Sequence, residues 1–225
     1  MRVFDGRTAD IEADRERTRA MFAFTKETGE PAVRAWVPHR QVAFGRRDAR
    51  AAGYERAKSA AEERDFPAVE RSVGGRAVAY TGSTVAFARA EPTDGREIQQ
   101  RYTRTTDDLQ SAFRRLGVEA RPGEPPDSFC PGSHSLQADG KIAGLAQRVT
   151  GEGALVAGIV LTRDADEIAG VLDPVYTALD VPFDPGSVGS IERAGGESEP
   201  ATVADEIESA LVEGYRESNG SDRQD

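Results

Sequence analysis

The segment from residue 121 to residue 134 constrains the fold most strongly, because it is too rich in proline for regular structure. Three prolines precede Cys130 in this segment, and Pro131 follows it directly. The next turn signal is Asp139-Gly140, a dipeptide typical of two-residue hairpins. The sequence therefore predicts that Cys130 lies on an irregular loop that leads into a β-hairpin.

The spacing of apolar residues along the rest of the chain predicts an α+β fold with a mainly antiparallel sheet packed against helices. Two strands are predicted within 32–45, and others at 66–71, 77–80, 85–88, 135–138, 142–150 and 154–161. Helices are predicted at 10–23, 50–64, 96–116, 165–179 and 203–216. Strands 77–80 and 85–88 should pair across a turn at 81–83.

Two helix ends carry their own signals. Asp10 or Asp14 could cap the start of the first helix, and Gly117 should cap the end of the third.

The length of 225 residues allows one sizeable core. We predict a single catalytic domain over residues 1–216, followed by a polar, frayed tail at 217–225.

Acidic residues outnumber basic ones by 39 to 29, which gives a formal net charge of −10. Such a surface repels nucleic-acid phosphates and anionic lipids, so neither nucleic acid nor membrane is expected as the main partner. An acidic chain with very little lysine resembles the proteins of salt-loving archaea. The chain shows neither an apolar run of the ~18 residues that a membrane span needs nor a signal-peptide pattern at its start, so we expect a cytoplasmic protein.

Cys130 and Lys141 are the candidate reactive residues. A lone thiol next to a Pro-Gly turn cannot form an internal disulfide, and it is either a nucleophile or a small buried hydrophobe. Lys141 follows a glycine in a chain whose cations are almost all arginine, so it is either a solvated turn residue or a compact ammonium that arginine cannot replace. Gly74-Gly75 likewise fits either a hairpin or a close approach of the backbone to a ligand.

Three segments together resemble the lipoate/octanoate branch of the biotin/lipoate protein ligase superfamily. The run 71–78, Arg-Ser-Val-Gly-Gly-Arg-Ala-Val, is similar to that branch's loop of an arginine, Ser-Gly-Gly and Ala-Val. The run 140–148, Gly-Lys-Ile-Ala-Gly-Leu-Ala-Gln-Arg, is similar to its Gly-Lys-Lys-Ile-x-Gly-x-Ala-Gln-Arg hairpin. The run 32–46 is similar to an early strand pair that ends in Gly-Arg. The resemblance implies the catalytic-domain fold of the biotin/lipoate ligases.

The run 129–133, Phe-Cys-Pro-Gly-Ser, looks like the segment in which the octanoyl-(glycine cleavage H protein):protein amidotransferases of this family carry their acyl-accepting cysteine. The resemblance implies an acyltransferase that moves an octanoyl or lipoyl group through a Cys130 thioester onto a lysine of a lipoyl domain. Lys141 would polarise the acyl carbonyl and stabilise the oxyanion. The implied acyl and substrate contacts are Arg71, Ser72, Gly74, Gly75, Arg76, Gly144 and Ala146.

The implied partners are lipoyl-domain proteins, namely the glycine cleavage H protein and 2-oxoacid dehydrogenase acyltransferase subunits, together with acyl carrier protein as a donor. The resemblance implies no metal site and no required cofactor. His134 is either a base for the nearby thiol or a surface histidine, and His39 next to Pro38 is interpreted as a turn residue.

An ATP-dependent lipoate-protein ligase is the alternative, with ATP and Mg²⁺ as cofactors and a separate accessory chain as partner. In that reaction Lys141 would meet the lipoyl-adenylate, and Arg71 would help to hold the nucleotide. Arg76 stands where ligases have a third glycine, which favours the transferase because a side chain there fills space beside the nucleotide. A carrier-binding module without activity is the third hypothesis, and the joint presence of Cys130 and Lys141 makes it the weakest.

Overall fold

A computed structural model of the chain describes residues 1–71, 74–93 and 97–220. These residues form the predicted α+β fold, with five α-helices and two sheets. The helices are α1 (Ile11–Thr28), α2 (Tyr54–Glu62), α3 (Ile98–Arg115), α4 (Ala165–Ala178) and α5 (Pro200–Gly220). The strands are β1 (Arg2–Val3), β2 (Ala32–Trp36), β3 (Gln41–Phe44), β4 (Ala68–Glu70), β5 (Val78–Tyr80), β6 (Val85–Pro92), β7 (Arg121–Pro122), β8 (Ser135–Gln137), β9 (Lys141–Val149) and β10 (Gly153–Val160).

The helix ends follow from local capping. The Asp10 side chain accepts the backbone N–H of Ala13 at 2.8 Å and is the N-cap of α1, which decides between the two aspartates proposed from the sequence. Gly117, with φ of 85°, directly follows the last turn of α3, as the sequence predicts. Helix α5 continues to Gly220, beyond the predicted end at Arg216.

The larger sheet has seven strands in the order β1-β2-β6-β10-β9-β8-β7. All its neighbours are antiparallel except β1 and β2, which run parallel. In the centre of the sheet, Ala157 pairs with Ala88 on one side and with Ala146 on the other. The mainly antiparallel sheet predicted from the alternating pattern is therefore confirmed.

A smaller sheet of three strands has the order β4-β3-β5, with β3 and β4 parallel and β3 and β5 antiparallel. The predicted pairing of strands 77–80 and 85–88 is wrong, because β5 joins the small sheet while β6 lies in the large one. Hydrogen bonds in the connecting turn explain the change of sheet. Thr81 N–H donates to Thr84 Oγ1, and Ser83 Oγ donates to Asp164 at the start of α4.

The hairpin at Asp139-Gly140 forms between β8 and β9, but it is wider than a two-residue turn. Gln137 pairs with Lys141, so residues 138–140 close the loop, and the register shifts between Leu136 and Gln137. Asp139 and Gly140 have φ of 49° and 103°, the left-handed values that favour this dipeptide. The proline-rich segment is not wholly irregular either, because Arg121–Pro122 forms the short edge strand β7, where a missing N–H is tolerated.

Two pairs of helices pack against different sheets. Helices α3 and α5 pack on one face of the large sheet, where Phe87, Leu109 and Leu211 belong to one buried cluster. Helices α2 and α4 pack against the small sheet, where Phe44, Leu172 and Tyr176 belong to another. In the described part of the chain, no helix is both long and apolar enough to span a bilayer. The loop that carries Cys130 contacts the second cluster.

Candidate active site

The backbone of Cys130 is held in an unusual conformation. Its φ is 41°, in the left-handed region that side chains other than glycine seldom adopt. Its N–H donates to the phenol oxygen of Tyr176 at 2.6 Å, and that hydroxyl donates to the carbonyl of Ala77 at 3.0 Å. Tyr176, buried on α4, thus ties the cysteine loop to the residue that precedes β5. The surrounding bonds determine the conformation of Cys130.

The sulfur of Cys130 receives two N–H groups. The backbone N–H of Arg76 lies 3.4 Å from Sγ, and Nη2 of Arg71 lies at the same distance. The sulfur therefore lies beside two N–H groups, one of which belongs to a positively charged guanidinium. The cysteine is half-buried.

Gly75 makes this approach possible. A Cβ atom at Gly75 would lie 2.9 Å from Sγ of Cys130 and 3.0 Å from Nη2 of Arg71. The residue also has φ of 90°, which side chains disfavour. The sulfur and the guanidinium therefore occupy the space that any other residue at position 75 would fill.

The guanidinium of Arg71 also contacts the backbone of Arg76. Its Nη2 donates to the carbonyl of Arg76 at 2.6 Å. Burial opposes the charge on Arg71, but Cys130 and Tyr80 outweigh it and raise the pKa of the guanidinium. Burial also raises the pKa of the neighbouring Tyr80, which stays neutral. The fixed positive charge beside the sulfur is therefore that of Arg71.

Lys141 lies on the other side of the cysteine loop. Its ammonium donates to the carboxylate of Glu124 at 2.6 Å and to the carbonyls of Phe129 and Cys130 at 2.9 and 3.0 Å. The side chain is 1% exposed, so the three donors of the ammonium all have protein acceptors. An acyl carbonyl would have to displace one of these acceptors to reach the ammonium.

Glu124 gathers three donors. Besides Lys141, it accepts the backbone N–H of Gly132 at 2.9 Å and the hydroxyl of Ser135 at 2.7 Å. Partial burial opposes its charge, but the hydrogen bonds from Lys141 and Ser135 outweigh that effect and hold the pKa of Glu124 below its usual value. Glu124 thus connects the backbone just after Cys130 to the first residues of β8 and β9.

Asp48 fixes the side chain of Arg76, whose backbone N–H donates to the sulfur of Cys130. Its carboxylate is completely buried and pairs with Nη1 of Arg76 at 3.0 Å. A Cβ atom at Gly45 would lie 2.1 Å from the carbonyl oxygen of Gly75, so the residue that follows β3 packs directly on the backbone of Gly75. These contacts bring the segment that follows β3 next to the loop that donates to Cys130.

Gly144 and Ala146 alternate on one face of β9, and their cross-strand partners are Ile159 and Ala157. A Cβ atom at Gly144 would lie 3.5 Å from Cε of Lys141, and Ala146 is exposed. Glycine and alanine leave this part of the face open, between Ser135 opposite Gly144 and Arg148 further along β9.

The structure brings most of the residues predicted for the site together. Arg71, Gly75 and Arg76 surround the sulfur of Cys130, and Lys141 holds the backbone of the same loop. Among the described residues, the remaining predicted positions do not contact the sulfur. Gly74 is exposed beside the loop, Ala146 lies further along β9, and Ser72 falls outside the described residues.

The two histidines take other positions. The ring of His134 stacks on that of Tyr102 at 3.6 Å between centroids, and burial lowers the pKa of the imidazole. His39 lies between β2 and β3, where its Nε2 contacts the carbonyl oxygen of Thr8 at 2.9 Å. In the described residues, no group of three or more His, Cys, Asp or Glu side chains is placed to hold a metal ion.

Sequence reasoning did not identify Glu124, Tyr176 or Asp48. Glu124 lies in the proline-rich loop, and Tyr176 lies 46 positions from Cys130 on α4, so no spacing rule links either to the thiol. The only local signal was an acidic residue, Asp48, shortly after Gly45-Arg46. Its burial could not have been foreseen without the packing of the glycine loop.

Comparison with known proteins gives a family match. The model of the lipoyl protein ligase A/B catalytic domain matches residues 14–213. Among curated proteins, the chain is 34% identical over 128 residues to "Octanoyl-[GcvH]:protein N-octanoyltransferase" of Exiguobacterium sp., covering 56% of this chain and 45% of the relative. It is 28% identical over 138 residues to "Lipoyl-[GcvH]:protein N-lipoyltransferase" of Listeria monocytogenes, covering 60% of this chain and 49% of the relative. The chain thus spans about half the length of the curated relatives it matches.

Among solved structures, the chain resembles a crystal structure of lipoate-protein ligase A bound with ATP. The TM-score is 0.73 at 20% sequence identity, with 96% of this chain and 84% of the other covered. At this level of identity the likeness concerns the fold. It agrees with the catalytic-domain fold that the sequence motifs predict.

Proposed function

The chain belongs to the lipoyl protein ligase A/B catalytic domain family, and from this premise we propose that it transfers an octanoyl or lipoyl group through a Cys130 thioester to a lysine of a lipoyl domain. The observation that carries the proposal is the position of Sγ, which receives the N–H groups of Arg71 and Arg76 across a glycine. Relatives named as octanoyl- and lipoyl-transferases support it. Substrates of those relatives, including the glycine cleavage H protein, are proposed as partners here.

The first step is acylation of the enzyme. The Cys130 thiolate attacks the acyl carbonyl of the donor, a new carbon–sulfur bond forms, and the bond to the donor's sulfur or nitrogen breaks. The leaving group takes up a proton. Arg71 stabilises the thiolate before attack, since its guanidinium lies 3.4 Å from Sγ.

The second step regenerates the thiol group. The neutral ε-amine of the acceptor lysine attacks the thioester carbonyl, a carbon–nitrogen bond forms, the carbon–sulfur bond breaks, and the amine loses a proton. Lys141 is the proposed oxyanion donor in both steps, once a substrate oxygen replaces one of its backbone acceptors. Its contact with the carbonyl of Cys130 at 3.0 Å supports this role by placing the ammonium beside the reacting residue.

The face of β9 that carries Gly144 and Ala146 is the proposed contact for the acyl chain. Each buried CH₂ group contributes about 0.8 kcal/mol, so a chain of eight carbons supplies enough binding energy to select its own length. Octanoyl and lipoyl groups share this apolar segment. The proposal therefore covers both acyl groups.

The proposed setting is a cytoplasm of high salt concentration. The acidic, lysine-poor composition supports high salt, and the single free cysteine supports a reducing compartment. The proposed reaction needs neither ATP nor Mg²⁺, because the donor already carries an activated or exchangeable acyl group. A ligase, by contrast, would consume both to activate a free acid.

Intact-mass measurement tests the proposal. The protein is incubated in concentrated salt with an octanoylated H protein or acyl carrier protein, without ATP or Mg²⁺. We expect a mass increase of one octanoyl group on the wild type and none on Cys130→Ser, because an alcohol is far less nucleophilic than a thiolate. Turnover of Cys130→Ser near the wild-type rate, or strict dependence on ATP, Mg²⁺ and a free acid, would overturn the transferase in favour of the ligase.

A further inference from the structure

We propose that Arg46, Arg47, Arg50 and Arg76 form a binding site for an acidic surface of the lipoyl domain that gives or receives the acyl group. The inference rests on the proposed function, because it names how the acyl-carrying protein is held at the thiol. The four arginines and Gly74 line a pocket of about 560 Å³.

Within the described residues, three of the four arginines make no contribution to the fold through charged contacts. In the part of the chain that the structure describes, the side chains of Arg46, Arg47 and Arg50 are exposed and form no hydrogen bond or ion pair. Acidic residues outnumber basic ones by 39 to 29 along the chain, yet no acidic side chain within 1–71, 74–93 or 97–220 forms an ion pair with these three. Like charges gathered without counter-charges repel one another, and a bound anionic surface relieves that repulsion.

The pocket and the thiol share a wall. The side chain of Arg76 lines the pocket, while its backbone N–H donates to Sγ of Cys130 at 3.4 Å. Asp48 fixes the same arginine by an ion pair of 3.0 Å. The close packing of Gly45 on Gly75 holds the segment with the other arginines against this wall. A protein seated on the pocket would therefore reach the sulfur with a side chain next to its contact surface.

Because the pocket is exposed, it should bind a surface with several carboxylates better than a single small anion. A single carboxylate or phosphate in an exposed ion pair gains only about 0–1 kcal/mol, so a small anion would be held weakly. Several carboxylates on one rigid surface could each form a two-pronged contact with a guanidinium and share the loss of orientational freedom. The complementary carboxylates should lie next to the acylated lysine, because the pocket lies next to the thiol.

Charge reversal with a matched control tests the site. Arg47→Glu/Arg50→Glu is compared with Arg114→Glu/Arg216→Glu, which makes the same charge change on exposed residues of α3 and α5. Calorimetry measures the Kd for a lipoyl domain with an unmodified lysine, at a salt concentration where circular dichroism shows all variants folded. We expect the pocket variant to bind at least roughly tenfold more weakly than the wild type and the control. A lipoyl domain with lysines in place of the carboxylates beside its target lysine should restore the affinity of that variant.

An acylation experiment with a small octanoyl thioester tests the docking site separately from the proposed function. Its rate of Cys130 acylation is measured for each variant, and the loss with the lipoyl domain should exceed any loss with the small thioester. Failure of the wild type to acquire the octanoyl group would sink the proposed function and leave the binding result standing. Equal Kd values for both double variants, or inorganic phosphate or ATP competing with the lipoyl domain at low concentration, would overturn the docking site.

Discussion

The ammonium of Lys141 hydrogen-bonds the backbone carbonyl of Cys130 at 3.0 Å, so the two residues meet through the backbone of the cysteine loop. The same ammonium holds the carbonyl of Phe129 and the carboxylate of Glu124. Lys141 therefore helps to fix the left-handed conformation of Cys130, in which Sγ faces the loop of Arg71 and Arg76. Through this backbone contact, Lys141 positions the proposed nucleophile.

Lys141→Arg should be almost as damaging as Lys141→Ala. The side chain is 1% exposed, and a longer planar guanidinium does not fit the three acceptors of a compact ammonium. Lys141→Ala leaves the carboxylate of Glu124 without its partner, which costs roughly 3 kcal/mol. Lys141→Arg overfills the same buried space, so both variants should also unfold at lower urea concentration. The checks are urea unfolding and the rate of Cys130 acylation by intact mass. Recovery of most of the wild-type rate by Lys141→Arg would contradict the assigned geometry.

Glu124 should make stability depend on acid pH. Its pKa is lowered from 4.5 in the folded protein, so its contribution to the free energy of unfolding is complete above about 4.5. That contribution is lost as the pH falls through the folded value, because the protonated carboxyl holds Lys141 poorly. Glu124→Gln should be less stable than the wild type at neutral pH, and the difference should shrink below pH 4.5. Thermal unfolding across this range measures it, and a difference that stays constant would exclude Glu124 as its source.

The sequence predicted those elements whose information is local. Alternating residues predicted β2, β6, β8, β9 and β10 of the large sheet but not its two-residue edge strands β1 and β7. The dipeptide Asp139-Gly140 predicted the hairpin, because positive φ values at both positions favour these residues. The cysteine loop was predicted as irregular from its prolines. The motif resemblance then placed Cys130, Gly75 and Lys141 in one site, and the coordinates bring them together.

The features that the sequence did not predict depend on contacts between distant segments. Strands β5 and β6 are separated by a short turn, yet they belong to different sheets, and a hydrogen bond from Ser83 in that turn to Asp164 fixes the connection. Tyr176 reaches Cys130 from α4, and Asp48 reaches Arg76 from the segment after β3. No regular interval in the sequence connects these residues with the residues that they contact. Only the packing of the two sheets reveals them.

Gly75→Ala should impair acylation without a change of charge. The added Cβ would lie 2.9 Å from Sγ of Cys130 at a position with φ of 90°, so both the thiol and Arg71 must move. We expect a loss of stability of about 1 kcal/mol or more and a larger fractional loss in the rate of acyl-enzyme formation. Gly82→Ala is the matched control, because a Cβ there meets nothing within 4 Å. Equal rates for the two variants would show that the contact between the glycine loop and the sulfur is dispensable.

His134 should act through its stacking and not as the base for the thiol. Its ring lies 3.6 Å from that of Tyr102, and burial lowers its pKa from 6.5. A lowered folded pKa means that the contribution of His134 to stability is complete above about 6.5 and is lost as the pH falls through the folded value. His134→Phe keeps an aromatic ring and removes the titration, so its stability should fall less between pH 6.5 and 5 than that of the wild type. The rate of Cys130 acylation at neutral pH should stay within roughly tenfold, whereas loss of a general base would lower it by about 10²- to 10⁴-fold.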